Sequence, residues 1–228
     1  MKPFLILGTD TGVGKTHFAL RYLHYCSENN HGATVFKPFA SGVEYVKGRG
    51  LINLDIHYLA EAAGVQPKQI NFQTFERPLA PAIAAEIEKL TVDVKASVEW
   101  CRARIADNTA FEGAGGILVP LTNSCTLLDL ACELDLPVVL VTRMALGTIN
   151  HTLLSVEAIR SARLRLAMVV TSMEAPLMTE AGESSIKYLK RHLAPLPIRL
   201  LPHVEPSSPS QINERLLFDE LRDRLAKI

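Results

Sequence analysis

The chain of 228 residues has no net charge: 24 Lys plus Arg are matched by 24 Asp plus Glu. Without a long-range field of one sign, nothing recruits a nucleic acid or an anionic lipid surface, so a small-molecule partner is favoured. Cysteine is scarce. Cys26, Cys101, Cys125 and Cys132 form no Cys-x-x-Cys pair and sit in apolar contexts. That pattern fits buried thiols in a reducing cytoplasm better than a disulfide frame or a zinc site. No apolar run reaches the ~18 residues of a membrane span, and no basic stretch followed by a long apolar run marks a signal peptide, so a cytoplasmic protein is expected. Internal repeats and low-complexity tracts are absent too. The length suits one sizeable α/β domain covering residues 1–228.

What is present begins with Phe4-Leu5-Ile6-Leu7, an apolar run that breaks into Gly8-Thr9-Asp10-Thr11-Gly12-Val13-Gly14-Lys15-Thr16. A triphosphate is wrapped by backbone N–H groups only where side chains leave the approach open, as Gly8, Gly12 and Gly14 do. Lys15 supplies a point charge for the β- and γ-phosphates, and Thr16 a hydroxyl for Mg²⁺. Strict phosphate-loop spacing asks for glycine at position 9, where Thr9 stands; counted from Gly8, the loop is one residue longer. The preceding strand and the helical pattern of Phe18, Ala19, Tyr22, Leu23 and Cys26 supply the context that a nucleotide-binding loop requires.

Further along, Ala33 to Phe36 reads as a short buried strand that delivers Lys37-Pro38-Phe39-Ala40-Ser41-Gly42. Lys37 is then either a solvated lysine or a ligand-facing cation at a strand's C-terminal end. Asp55, near the start of a helix over residues 53 to 63, is either a favourable charge at a helix N-terminus or a metal-facing carboxylate. Residues 66 to 81 read as loop, followed by helices over Ala82 to Leu90 and Val94 to Ala106, with Trp100 in the core. Thr109 to Gly116 is a strand ending in Glu112 and small residues, either a tight turn or a Mg²⁺ carboxylate with room for a ligand. Pro137 to Thr142 has the continuous apolar character of a parallel strand buried on both faces. Gly147 and Thr148 open a helix to about Ala162, as an anion site, an ordinary Thr148 N-cap, or both. A strand (Leu166 to Thr171), a helix (179 to 193), a strand (Pro197 to Leu201) and a terminal helix (210 to 227) complete the pattern. That last helix sets Leu216, Leu217, Leu221 and Leu225 on one face. Such alternation predicts a mostly parallel sheet of about seven strands, helices on both faces and ligands at the strand C-terminal ends.

Four of these segments, Gly8 to Thr16, Lys37 to Gly42, Glu112 to Gly116 and Leu146-Gly147-Thr148-Ile149-Asn150-His151, resemble in order the motifs of the dethiobiotin synthetases, lengthened loop included. The resemblance spans most of the chain. It implies an ATP- and Mg²⁺-dependent cyclo-ligase of biotin biosynthesis, a P-loop homodimer that forms a cyclic urea from 7,8-diaminopelargonate and CO₂. It implies catalytic roles for Lys15, Lys37 and Thr11, and metal ligation by Thr16, Asp55 and Glu112. Nucleotide contacts are implied at Gly12, Val13, Gly14, Lys15, Thr16, Glu112, Gly113, Ala114, Gly115, Ser172 and Pro202. Substrate contacts are implied at Ser41, Gly147, Thr148 and Asn150, the last three reaching the substrate carboxylate of the other subunit.

Three positions depart from the family pattern. Gly12 stands where many relatives carry an acidic residue. The base-reading Asn-Asp appears as Ser172-Met173, and a later Pro-Trp as Pro202-His203. One hydroxyl replaces an amide's donor and acceptor, which implies relaxed base selectivity or other base contacts. Two rival readings are a partition-type switch ATPase and an amidating or cyclo-ligase with another acid substrate. The first carries a signature lysine five residues before the loop lysine, where this chain has Asp10; the amidating enzymes usually append a glutaminase domain, for which the chain is too short.

Overall fold

A computed structural model describes residues 1–173, 179–204 and 212–228. In chain order it runs β1 (Phe4–Gly8), α1 (Lys15–Glu28), β2 (Thr34–Phe36), β3 (Phe39–Ser41), β4 (Glu44–Val46), β5 (Gly50–Ile52), α2 (Leu54–Ala63), α3 (Pro67–Ile70), β6 (Gln73–Phe75), α4 (Pro81–Glu88) and α5 (Val94–Arg102). It continues with β7 (Thr109–Glu112), α6 (Leu127–Leu134), β8 (Val138–Arg143), α7 (Thr148–Ser161), β9 (Leu166–Ser172), α8 (Glu180–His192), β10 (Ile198–Leu201) and α9 (Ile212–Lys227).

The central sheet has the order β10-β9-β8-β1-β7-β2 and every pairing in it is parallel. Among the described residues it has six strands, against the seven or so expected. Because side chains alternate along a strand, each strand feeds two cores. Phe4 and Ile6 of β1 join Phe18 and Tyr22 of α1, Leu59 of α2 and Phe218 of α9 on one face. Leu5 and Leu7 join Val98 of α5, Leu130 of α6 and Ile159 of α7 on the other. Double-sided burial explains why β8 reads as an unbroken apolar run.

Several expectations need correction. The stretch read as loop contains α3 and β6: Pro67 opens α3 behind a capping box between Gln66 and Gln69, and β6 pairs with the distant β3. A β4–β5 hairpin was not expected either. On α9, Leu217, Leu221 and Leu225 are buried with Phe218, but Leu216 is 62% exposed, because the buried face follows the three- and four-residue spacing from 217. Cys26 and Cys101 are buried, whereas Cys125 is half-buried and Cys132 exposed. Trp100 is half-buried, with the Arg104 guanidinium 3.9 Å from its ring centre.

Candidate active site

At the C-terminal end of β1 the chain turns through Gly12 and Gly14, at φ 72° and 93°. A Cβ on Gly14 would run into the Ser172 side chain, so this position needs glycine both for its angle and for its neighbour. Gly14 also caps α1, which has no side-chain cap and no acidic residue in its first turn. The helix therefore offers its N-terminal N–H groups and dipole to an anion. Lys15 Nζ donates to the carbonyls of Asp10 (2.9 Å) and Gly115 (2.7 Å), and burial pulls its pKa down to about 8. The Gly113–Gly116 segment lies against this loop: a Cβ on Gly115 would sit 3.3 Å from Thr11 Oγ1, and one on Gly116 would sit 3.2 Å from the Thr9 carbonyl.

Beside the loop, four chain segments meet at Lys37. Its Nζ donates to Asp55 Oδ2 (2.5 Å), Glu112 Oε1 (2.6 Å) and, more weakly, Thr16 Oγ1 (3.5 Å). The Thr16 hydroxyl donates to Glu112 Oε1 at 2.7 Å. Backbone contacts hold Lys37 in place: its N–H donates to Ile70 O (2.8 Å) and its carbonyl accepts from Asn71 Nδ2 (2.8 Å). Asp55 arrives on the first turn of α2, which is capped by Asn53. Burial opposes the charge on Lys37, but the Glu112 and Asp55 carboxylates outweigh it and raise the pKa. Lys37 is thus an ammonium clamped between carboxylates, and Asp55 faces the cluster instead of serving only as a helix-end charge.

The set of one hydroxyl and two carboxylates fits Mg²⁺, which takes hard oxygen ligands and draws the rest from phosphate and water. Glu112 Oε2 is buried with no hydrogen-bond partner among the described residues, an oxygen in need of a cation or donor. Among those residues no group of three His, Cys, Asp or Glu forms a metal cage.

A cleft of about 690 Å³ joins these groups, lined by Thr11, Gly12, Gly14, Lys15, Thr16, Lys37, Ser41, Asp55, Glu112, Ala114 and Gly115. Its size suits a nucleotide with a small second ligand. Ser41, at the end of β3, keeps its Oγ buried and without a partner among the described residues. Val13 is buried, and Gly113 packs where a Cβ would meet Leu127. Ser172 and Pro202 flank the start of α1; the Pro202 carbonyl accepts from His17 Nε2 at 3.3 Å.

Gly147, Thr148 and Asn150 lie outside this cleft. Gly147, at φ 90°, caps α7 without a side-chain hydrogen bond. Thr148 is not the N-cap: its hydroxyl turns inward to Thr142 Oγ1 at 2.8 Å. Asn150 lines a separate hollow with Leu154 and Arg160.

Three features escaped the sequence reading. His17 lines the cleft, and burial lowers its pKa. Its place directly after the loop threonine was the available signal. The Pro78–Pro81 stretch forms the opposite wall. Arg143 ends β8 beside Ser172, half-buried at a strand C-terminal end, where ligands of such sheets gather.

A strand, a glycine loop and a helix with Lys15 and Thr16 at the C-terminal edge of a parallel sheet define a P-loop nucleotide-binding protein. A family model described as an AAA domain matches residues 2–208. The cell division ATPase MinD of Pyrococcus furiosus shares the fold at TM-score 0.56 and 11% identity, covering 100% of this chain and 99% of that one. A plasmid partition protein of Borrelia burgdorferi does so at 0.54 and 12%, with the same coverage.

Sequence similarity is more specific. The chain is 38% identical over 216 residues to the ATP-dependent dethiobiotin synthetase BioD of Aromatoleum aromaticum, covering 92% of this chain and 95% of that relative. Against the same enzyme of Anaeromyxobacter sp. Fw109-5 the identity is 38%, covering 99% and 98%. For that of Pseudomonas paraeruginosa it is 37%, covering 95% and 96%. The chain belongs to the ATP-dependent dethiobiotin synthetase family.

Proposed function

We propose that residues 1–228 act as one domain that makes dethiobiotin, closing a cyclic urea on 7,8-diaminopelargonate with CO₂ while ATP becomes ADP and phosphate. The observation that carries this reading is the placement of Lys37, clamped by Asp55 and Glu112 in the same cleft as Lys15. A reaction that builds negative charge on phosphoryl and carbamate oxygens needs fixed cations more than it needs an acid or base.

The carbamate formed from CO₂ and one amine attacks the γ-phosphorus through an oxygen, and the ADP oxygen leaves. The second amine then attacks the carbamoyl carbon; the C–O bond to phosphate breaks, the amine proton is lost, and the ring closes. Lys15, freed from the Asp10 and Gly115 carbonyls, follows the transferring phosphoryl group. Lys37 stabilises the charge between phosphoryl and carbamate oxygens, with Thr11 of the loop assisting the two lysines, and Ser41 offers its unpaired hydroxyl to the diamine carbamate. Thr16, Asp55 and Glu112 would hold Mg²⁺, which when bound neutralises charge on the β- and γ-phosphate oxygens. Gly12 to Thr16, Glu112 to Gly115, Ser172 and Pro202 hold the nucleotide, with base selectivity relaxed by Ser172.

Placement of Gly147, Thr148 and Asn150 away from their own cleft supports a homodimer in which this turn serves the partner's substrate carboxylate. Exposed Leu146 (90%) and Leu154 (63%) on the same segment favour a covered surface there. No described helix is long and apolar enough to cross a membrane, and buried free thiols at Cys26 and Cys101 suit a reducing cytoplasm.

Incubation with 7,8-diaminopelargonate, bicarbonate, Mg²⁺ and ATP tests the assignment. Phosphate release should depend on the diamine and match a product with the mass of the cyclic urea. Release indifferent to the diamine contradicts it.

A further inference from the structure

We infer that Thr142 is a positioning residue that ties the phosphate loop to the first turns of α7 through a buried cluster of threonine hydroxyls. Thr142, in β8, is fully buried, as is Thr152, and Thr148 is nearly so. Its Oγ1 lies 2.8 Å from Thr148 Oγ1, accepts from Thr152 Oγ1 at 3.0 Å and from Thr9 Oγ1 at 3.3 Å. A hydroxyl has one proton and two lone pairs. With Thr9 and Thr152 donating to Thr142, its own proton goes to Thr148, so every bonding position of this oxygen is used.

The ends of the cluster matter. Thr9 is the first residue after β1, and its N–H donates to Val141 O at 3.0 Å, so it sets the angle at which the phosphate loop leaves the sheet. Thr148 is the first residue of α7 and Thr152 lies one turn on. Gly147 gives that helix start no side-chain cap and a left-handed backbone that imposes little stiffness. The Thr148 N–H is used by Ala145 O at 3.1 Å. An anion at this end would meet the next N–H groups, those of Ile149 and Asn150, whose direction depends on how the first turn is held.

Packing alone does not call for hydroxyls here. The core on this side of the sheet includes Leu140, two residues before Thr142 on β8, with Val156 and Ile159 of α7, and valine would bury there without needing partners. What the hydroxyls add is direction. One oxygen fixes the distance between the loop that takes ATP and the turn that, on the proposed function, holds the carboxylate of 7,8-diaminopelargonate in the partner's cleft.

The inference rests on that function, and its test separates the two. In the full-length protein, Thr142→Val keeps the shape and removes the hydroxyl, while Thr142→Ser keeps the hydroxyl. Thr142→Val should raise KM for the diamine about tenfold, the effect of one misdirected hydrogen-bonding end, with KM for ATP changed less than about twofold. Thr142→Ser should stay within about twofold of wild type in both. Thr152→Val, a milder loss, should raise the diamine KM in the same direction and covers the case in which Thr142→Val does not fold. A lowered melting temperature with the diamine KM unchanged would make the cluster merely structural and overturn the inference, as would a serine variant as impaired as the valine one. Wild-type protein without diamine-dependent turnover would overturn the functional reading itself, and this inference with it.

Discussion

Lys37 keeps its charge in a buried place because Asp55 and Glu112 stand within 2.6 Å of its Nζ. Such a clamp fixes the direction of the ammonium before substrate arrives, so little reorganisation is needed when charge develops on the transferring group. Lys37→Ala should therefore lower kcat by about 10²–10³ while the ATP dissociation constant changes less than about threefold; equal losses in both would argue against this role. Ser41 poses a different demand: its buried Oγ has no partner among the described residues. Ser41→Ala should raise KM for the diamine and leave that for ATP unchanged, as steady-state kinetics would show. At Ser172, turnover with ATP, GTP and CTP measures base selectivity; an ATP preference that survives Ser172→Ala would remove the hydroxyl from base reading.

Two groups of helix starts stand apart. Asn53, Asp93, Thr126 and Thr179 close α2, α5, α6 and α8 with side-chain oxygens. By contrast α1 and α7 begin on left-handed glycines with no side-chain cap and no acidic residue in the first turn. The first group stabilises the fold, and the second leaves N–H groups open for ligands. Thr126→Ala should cost about 1 kcal/mol in denaturant titration and leave kcat/KM intact. Gly14→Ala should abolish ATP binding in calorimetry, since it strains φ at 93° and drives a methyl into Ser172. Much of this was legible in the sequence, because Gly14 and Gly147 precede helical patterns and phosphate loops carry their own spacing. What stayed hidden has a common cause. The strands β3 and β6 are three residues each and pair across more than thirty positions, so no local period marks them. Thr9 read as a loop residue, Thr142 as part of a strand and Thr148 as a cap, with nothing to single out Thr152, and only the fold makes the four neighbours.

At the scale of the molecule, the parallel sheet gathers the ends of β1, β2 and β7 around one cleft, with the end of β8 next to that of β1. The sheet was readable because strands buried on both faces are continuous apolar runs, as in Val138 to Val141. Asp55 remained ambiguous in the sequence because its direction depends on how α2 is docked, which no local pattern encodes. The same geometry makes the proposed dimer testable: Leu154→Glu, on the exposed face of α7, should give a monomer in sedimentation that still binds ATP but has lost turnover. A monomeric variant with full activity would remove the shared site.

On the proposed function, a carbamate oxygen accepts the γ-phosphoryl group between Lys15 and Lys37. Isotope transfer tests it most directly. With ¹⁸O-labelled CO₂ mixed with the diamine, ATP and Mg²⁺ and quenched within one turnover, the released phosphate should contain one ¹⁸O, carried from the carbamate when the ring closes. Phosphate free of ¹⁸O alongside newly formed cyclic urea would contradict it.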